Sequence, residues 1–148
     1  MIQRIQTIFL AVVFAVACLM LFLPFQSVDI NGTTYPLCLL PGCSKEVMSP
    51  TVYVPMILNF IVMLLALVTI FQYKNRRFQI KLSNVLGILN VVLVGILFAL
   101  HYVADYTLAP VSYKVASFLP LLSFAMAFMA AYYIKKDEAL VRSADRIR

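Results

Sequence analysis

Apolar stretches without Asp, Glu, Lys or Arg recur along the chain at Ile8 to Pro24, Val52 to Phe71, Val85 to Val103 and Val115 to Ile134. A bilayer hydrocarbon layer of about 30 Å is crossed by roughly 20 residues of helix at 1.5 Å rise. The pattern therefore predicts an all-α membrane protein, a four-helix up-down transmembrane bundle forming one domain over residues 1–148. Its spans are 8–24, 52–71, 85–103 and 115–134; loops 25–51 and 104–114 lie on one side, with the loop 72–84 and the tail 135–148 on the other.

The period changes in two places. Around Asn31-Gly32, "SVDINGTTY" alternates polar and apolar residues. Asn-Gly supplies the positive φ angles that tight hairpin turns need, so a small β-hairpin is expected in the first loop. The tail keeps the helical period instead. Leu140, Ala144 and Ile147 recur at helical spacing, Glu138 precedes Arg142 by four, and no Gly or Pro intervenes. The fourth helix is expected to continue past Tyr132 and Tyr133 as a narrow amphipathic extension of about 20 Å.

Composition agrees with the pattern: 64% of residues are hydrophobic, 12% are charged and the mean hydropathy is +0.96, far from soluble averages. The segments between the apolar runs are too short to fold as a separate domain. Charge then orients the bundle. Arg4, Lys74, Arg76, Arg77, Lys81, Lys135, Lys136, Arg142, Arg146 and Arg148 fall on one side, and Lys45 and Lys114 on the other. Short loops rich in Lys and Arg stay cytoplasmic, so both termini are expected inside and the hairpin outside. The basic rim is attracted to anionic lipid. It lacks the interleaved aromatics of a base-stacking platform, so no direct nucleic-acid binding is expected.

Candidate chemistry is sparse. Arg4 followed by an apolar run ending in "FAVAC" imitates a cleaved signal, but the run continues through "LMLFLP". An uncleaved spanning helix with Cys18 as a small buried hydrophobe is expected. Cys38 and Cys43 flank "LLPG" in the outer loop, where an oxidising compartment favours a disulfide staple. The alternative is a redox-active pair in a thiol-oxidising membrane protein; such a relay needs a second cysteine pair, which residues 104–114 do not supply. No metal site is expected, because the loop holds no His and the single His101 sits at the outer end of the third span, expected to bond Asp105.

Ionisable groups in mid-membrane mark transport paths, and the spans hold none beyond His101, which argues against a small coupled transporter. Asn59, Asn90 and Ser123 lie deeper and are expected to bond between helices. Asn59 and Ser123 share a depth within about 4 Å of the midplane, and Asn90 lies about 6 Å to the inner side. Gly95 and Ala99 form one small-residue pair, Ala127 and Ala131 another, suggesting close packing of the third and fourth spans or of a partner's helix. Pro120 is expected to kink the fourth span near its outer end.

Three inner segments, "MIQRIQT", "YKNRRFQIKL" and "KKDEALVRSADRIR", resemble a domain-of-unknown-function family of small four-span inner-membrane proteins typical of Bacteroidota. The resemblance spans essentially the whole chain and implies a bacterial inner membrane, an uncleaved first helix, and no known activity, cofactor or catalytic residue. The expectation is a non-enzymatic accessory subunit or assembly factor of a larger inner-membrane complex, serving protein export, envelope biogenesis or respiration. Its contacts would run through the basic cytoplasmic face.

Overall fold

In hydrocarbon every backbone N–H and C=O must find a partner within the protein, and a helix satisfies them within one segment. The chain meets this demand with four long helices, α1 (Gln3–Phe22), α2 (Tyr53–Phe71), α3 (Arg76–Val103) and α4 (Leu119–Asp145). The computed structural model describes residues 3–30, 32–40, 50–73, 75–103 and 110–145. Each helix packs on its sequence neighbour and α4 closes the ring against α1, with α3–α4 the most extensive pairing. Neighbours run antiparallel. Along α3 and α4, Arg77 meets Glu138 at one end, Gly87 faces Phe124 midway, and the Phe98 and Phe118 rings pack at the other.

The helix boundaries differ from the hydropathy pattern in one important place. Residues 72–84 are expected as a loop, yet α3 begins at Arg76 and only 72–75 connect it to α2. The buried stripe of α3 explains this: Gln79, Ser83, Leu86, Gly87, Asn90, Leu93, Leu97 and Leu100 follow a helical period from the first turn. Its first two members are polar, so the helix is amphipathic before it becomes apolar.

Two apolar clusters fill the bundle. Leu10, Val13, Ala17, Val62, Ala66, Leu86, Ala127 and Ala130 form the middle. Met20, Leu21, Phe25, Val28, Leu37, Leu39, Val52, Leu93, Leu97, Leu100 and Ala116 form the end that carries the sheet. Outward positions such as Ile57, Ile61 and Leu64 on α2 and Ile88 on α3 are exposed and apolar, as a lipid-facing surface requires.

The hairpin forms from β1 (Gln26–Ile30) and β2 (Thr33–Leu37), with Ile30 opposite Thr33 and Gly32 at φ +82° in the turn. A third strand, β3 (Val111–Tyr113), pairs with the other edge of β1, giving the order β2-β1-β3. That strand was not expected. The sheet sits on the bundle end through Phe25 and Val28, both fully buried, and through Gln26, whose Nε2 donates to the Leu97 carbonyl of α3 at 2.8 Å. Lys114 N and the Ser117 hydroxyl both donate to the Phe25 carbonyl, tying the strand to the start of α4.

Small residues work differently from the sequence pattern. Gly95 and Ala99 face outward, and a Cβ on Gly95 would meet nothing within 4 Å. Gly87 is the glycine that faces α4, where a Cβ would lie 3.5 Å from Phe124. Ala127 and Ala131 do point inward. Pro120 falls in the first turn of α4, where its missing N–H breaks no helical bond. The 3.5 Å clearance separates two substitutions: Gly87→Ala is expected to leave the melting temperature in detergent unchanged or slightly raised. Gly87→Leu is expected to push α3 from α4 and cost about 1–3 kcal/mol, read as an earlier thermal transition.

Candidate functional site

At the end opposite the sheet the bundle interior turns polar. Gln6 of α1, Thr69 of α2, Gln79 and Ser83 of α3 and Asp137 of α4 are all buried there, while Ile8, Phe71, Phe78 and Tyr132 around them are exposed. Hydrogen bonds join the helices at this level. Gln6 Nε2 donates to the Tyr133 carbonyl at 3.3 Å, and Gln79 Nε2 donates to the Thr69 carbonyl at 3.1 Å. Phe9 stacks on the Tyr133 ring with centroids 5.5 Å apart. The Ser83 hydroxyl is fully buried without a partner among the described residues. Of this layer, hydropathy counting passes over Gln6, Gln79 and Ser83 because they precede the apolar runs, and Asp137 because it follows one. Their signal is the helical spacing of the buried stripe.

Two ion pairs close the layer. Arg76 Nη1 and Asp137 Oδ2 stand 2.9 Å apart, with side chains 28% and 12% exposed. They form an ion pair without the alignment of a hydrogen bond. Arg77 Nε donates to Glu138 Oε1 at 3.1 Å, and there the arginine side chain is 70% exposed. The two pairs differ in strength. An exposed pair contributes about 0–1 kcal/mol, whereas breaking one that is mostly shielded leaves a charge with little water around it. Glu138 thus reaches across to α3, which continues as a helix alongside it; the side chain of Arg142, expected to pair with it, lies outside the described residues.

The basic residues divide accordingly. Arg76 and Arg77 are engaged with α4, while Lys81, Lys135 and Lys136 are exposed. Past Glu138 no described residue flanks α4: Ala139, Leu140, Val141 and Ser143 are all exposed, so about 10 Å of helix, residues 139–145 at 1.5 Å each, stands beyond the described bundle. Lys74, Arg146 and Arg148, and the side chains of Arg4 and Arg142, lie outside the described residues.

The remaining polar candidates do not assemble into a second centre. Asn59, fully buried, donates from Nδ2 to the Ala17 carbonyl of α1 at 3.0 Å and leaves its Oδ1 without a partner among the described residues. It does not meet Ser123 as its depth suggests, because α2 neighbours α1 and α3 around the ring while Ser123 is on α4. Asn90 Nδ2 donates to the Leu86 carbonyl of its own helix at 2.8 Å, so it bonds within α3 and not between helices. Ser123 is buried on the inward face of α4. At the sheet end, Cys38 is 4% exposed with its Sγ 3.7 Å from the Phe22 carbonyl, and Cys43 lies outside the described residues. The Nδ1 of His101 is buried without a partner among the described residues, outside which Asp105 lies.

Four helices long and apolar enough to cross a bilayer, Ile5–Phe22, Pro50–Phe71, Arg76–Val103 and Val115–Val141, define the class: a multi-pass membrane protein. The chain belongs to the family described as Domain of unknown function (DUF4293), which matches residues 2–147. A comparison with curated proteins finds no match.

The ion-pair geometry yields a rescue test. Arg76→Asp is expected to place two carboxylates together and destabilise the protein by on the order of 2 kcal/mol, below the 3–5 of a fully buried pair because Arg76 keeps partial solvent access. The double exchange Arg76→Asp with Asp137→Arg is expected to recover most of that loss. Thermal melting of the three proteins in one detergent reads both effects, and Arg77→Ala should move the transition little.

Proposed function

We propose that this protein is a non-enzymatic accessory subunit or assembly factor of a larger complex in a bacterial inner membrane. It lies with both termini cytoplasmic and contacts its partner through the charged end. The asymmetry of ten basic residues on one side of the spans against two on the other supports the orientation. In that frame the sheet lies on the outer side, where a disulfide between Cys38 and Cys43 closes the short loop after the hairpin.

One observation carries the reading. The polar layer ties neighbouring helices and the two ion pairs tie α3 to α4 at the very end from which α4 projects, with Lys81, Lys135 and Lys136 exposed and unpaired among the described residues. A surface held in a fixed arrangement loses less freedom when it binds, so more of its contact energy appears as affinity. The uncommitted cations favour an acidic partner surface and speed its encounter. The exposed Leu140 and Val141 on the projecting helix offer the apolar contact that steering charges do not.

Native gel electrophoresis of membranes dissolved in mild detergent tests this. The wild-type chain is expected to migrate within an assembly well above its own 16.7 kDa. The triple substitution Lys81→Glu, Lys135→Glu and Lys136→Glu is expected to release it as a smaller species while the melting temperature holds. Migration of wild type and triple variant at the same low mass would contradict the reading.

A further inference from the structure

At the sheet end a crevice of about 280 Å³ opens between the end of α1 and the start of α4, walled by Leu23, Pro24, Val115, Ala116 and Leu119, with Lys114 beside them. Its walls are aliphatic. Leu23 and Val115 are 42% and 81% exposed, so the crevice opens sideways from the bundle, and Ala116 forms its covered floor. Lys114 is exposed and pairs with no carboxylate among the described residues. Its backbone is nonetheless fixed, since Lys114 N donates to the Phe25 carbonyl at 2.9 Å and its carbonyl accepts from Ser117 N at 3.0 Å.

Position decides what can fill this space. Pro24 follows α1 and Val115 begins the turn that leads into α4, so the crevice lies where two spanning helices reach the membrane surface. An aliphatic cavity offers water no partners, and a void of this size would forfeit the contacts of all its lining atoms. A pocket for a whole small molecule runs to about 300–1,000 Å³. The volume here suits one segment of hydrocarbon chain whose remainder continues into the bilayer. The Lys114 side chain, anchored on a fixed backbone beside the crevice, can reach the headgroup that chain carries.

We infer that the Leu23–Leu119 crevice is a binding site for an anionic phospholipid, one acyl chain seated against Leu23, Ala116 and Leu119 and the headgroup phosphate on Lys114. The occupant belongs to the leaflet at the sheet end. A bound lipid there wedges the end of α1 against the turn that leads from β3 into α4. The site lies at the opposite end of the bundle from the two ion pairs, and each reading can fail without the other.

Native mass spectrometry of the full-length protein, released from detergent after exposure to phosphatidylglycerol or phosphatidylcholine, tests the assignment. One tightly retained phosphatidylglycerol per chain is expected, with phosphatidylcholine retained several-fold less. Lys114→Gln should reduce phosphatidylglycerol retention about fivefold, the effect of losing one surface cation of about 1 kcal/mol, and erase the preference between the two lipids. Leu23→Trp fills the crevice and should lower retention of both. Because Lys114 is exposed, its substitution leaves the fold intact and keeps the assignment testable even if the tryptophan variant does not fold. Equal retention of the two lipids by wild type, or retention unmoved by Lys114→Gln, would overturn it. A detergent-stable dimer lost in Leu23→Trp would also overturn it, by showing a second copy in the crevice.

Discussion

Hydrocarbon offers no partner to an open peptide group, and that constraint organises the molecule. Four helices close their own backbone bonds, and the non-helical backbone with a regular fold, the three-stranded sheet, lies at the bundle end and not within it. The same demand explains how the sheet is attached. Gln26 is wholly buried, and its amide finds the Leu97 carbonyl, while the Phe25 carbonyl accepts from both Lys114 N and Ser117. Few side chains pay the constraint incompletely; Asn59 Oδ1, Gln26 Oε1 and Ser83 Oγ are buried acceptors without a partner among the described residues.

The two ends of the bundle solve different problems. At the sheet end apolar side chains dominate, and the sheet is packed as a lid on aliphatic residues of α1, α2 and α3. At the charged end the interior is polar and the perimeter apolar, with amide bonds and one shielded ion pair joining adjacent helices. Interhelical hydrogen bonds in membranes contribute only about 0.6–2 kcal/mol each, so their value here is geometric as much as energetic. They join α1 to α4 and α2 to α3, while the two arginine–carboxylate pairs join α3 to α4 at the level from which α4 leaves the bundle. Fixed placement of that projecting turn is the physical basis on which the charged end is proposed as a binding surface.

Much of the fold is legible in the sequence because membrane insertion is decided by local composition. Four uncharged runs give four helices, and Asn31-Gly32 marks the hairpin whose strands flank it. What escapes local reading depends on which face each helix buries. Gly95 with Ala99 and Gly87 are equally visible as small residues, but only Gly87 lies on the stripe shared by Leu86, Leu93 and Leu97. Asn59 and Asn90 are visible as deep amides, yet their partners follow from the ring order of helices and from local backbone. The strand Val111–Tyr113 is three residues long and exists through pairing with β1, far away in sequence. The polar layer is missed for a simpler reason: a count of apolar residues begins where Gln6, Gln79 and Ser83 have already passed.

The central claim is that the basic rim, the projecting end of α4 and the N-terminus face the cytoplasm together, with the sheet across the membrane. Paired reporter fusions in a bacterial host test this most directly, using green fluorescent protein or alkaline phosphatase joined after Arg148, and phosphatase inserted at the Gly32 turn. The account expects fluorescence and no phosphatase activity from the C-terminal fusions, and active phosphatase at Gly32. Active phosphatase after Arg148 would place the rim on the wrong side and contradict it.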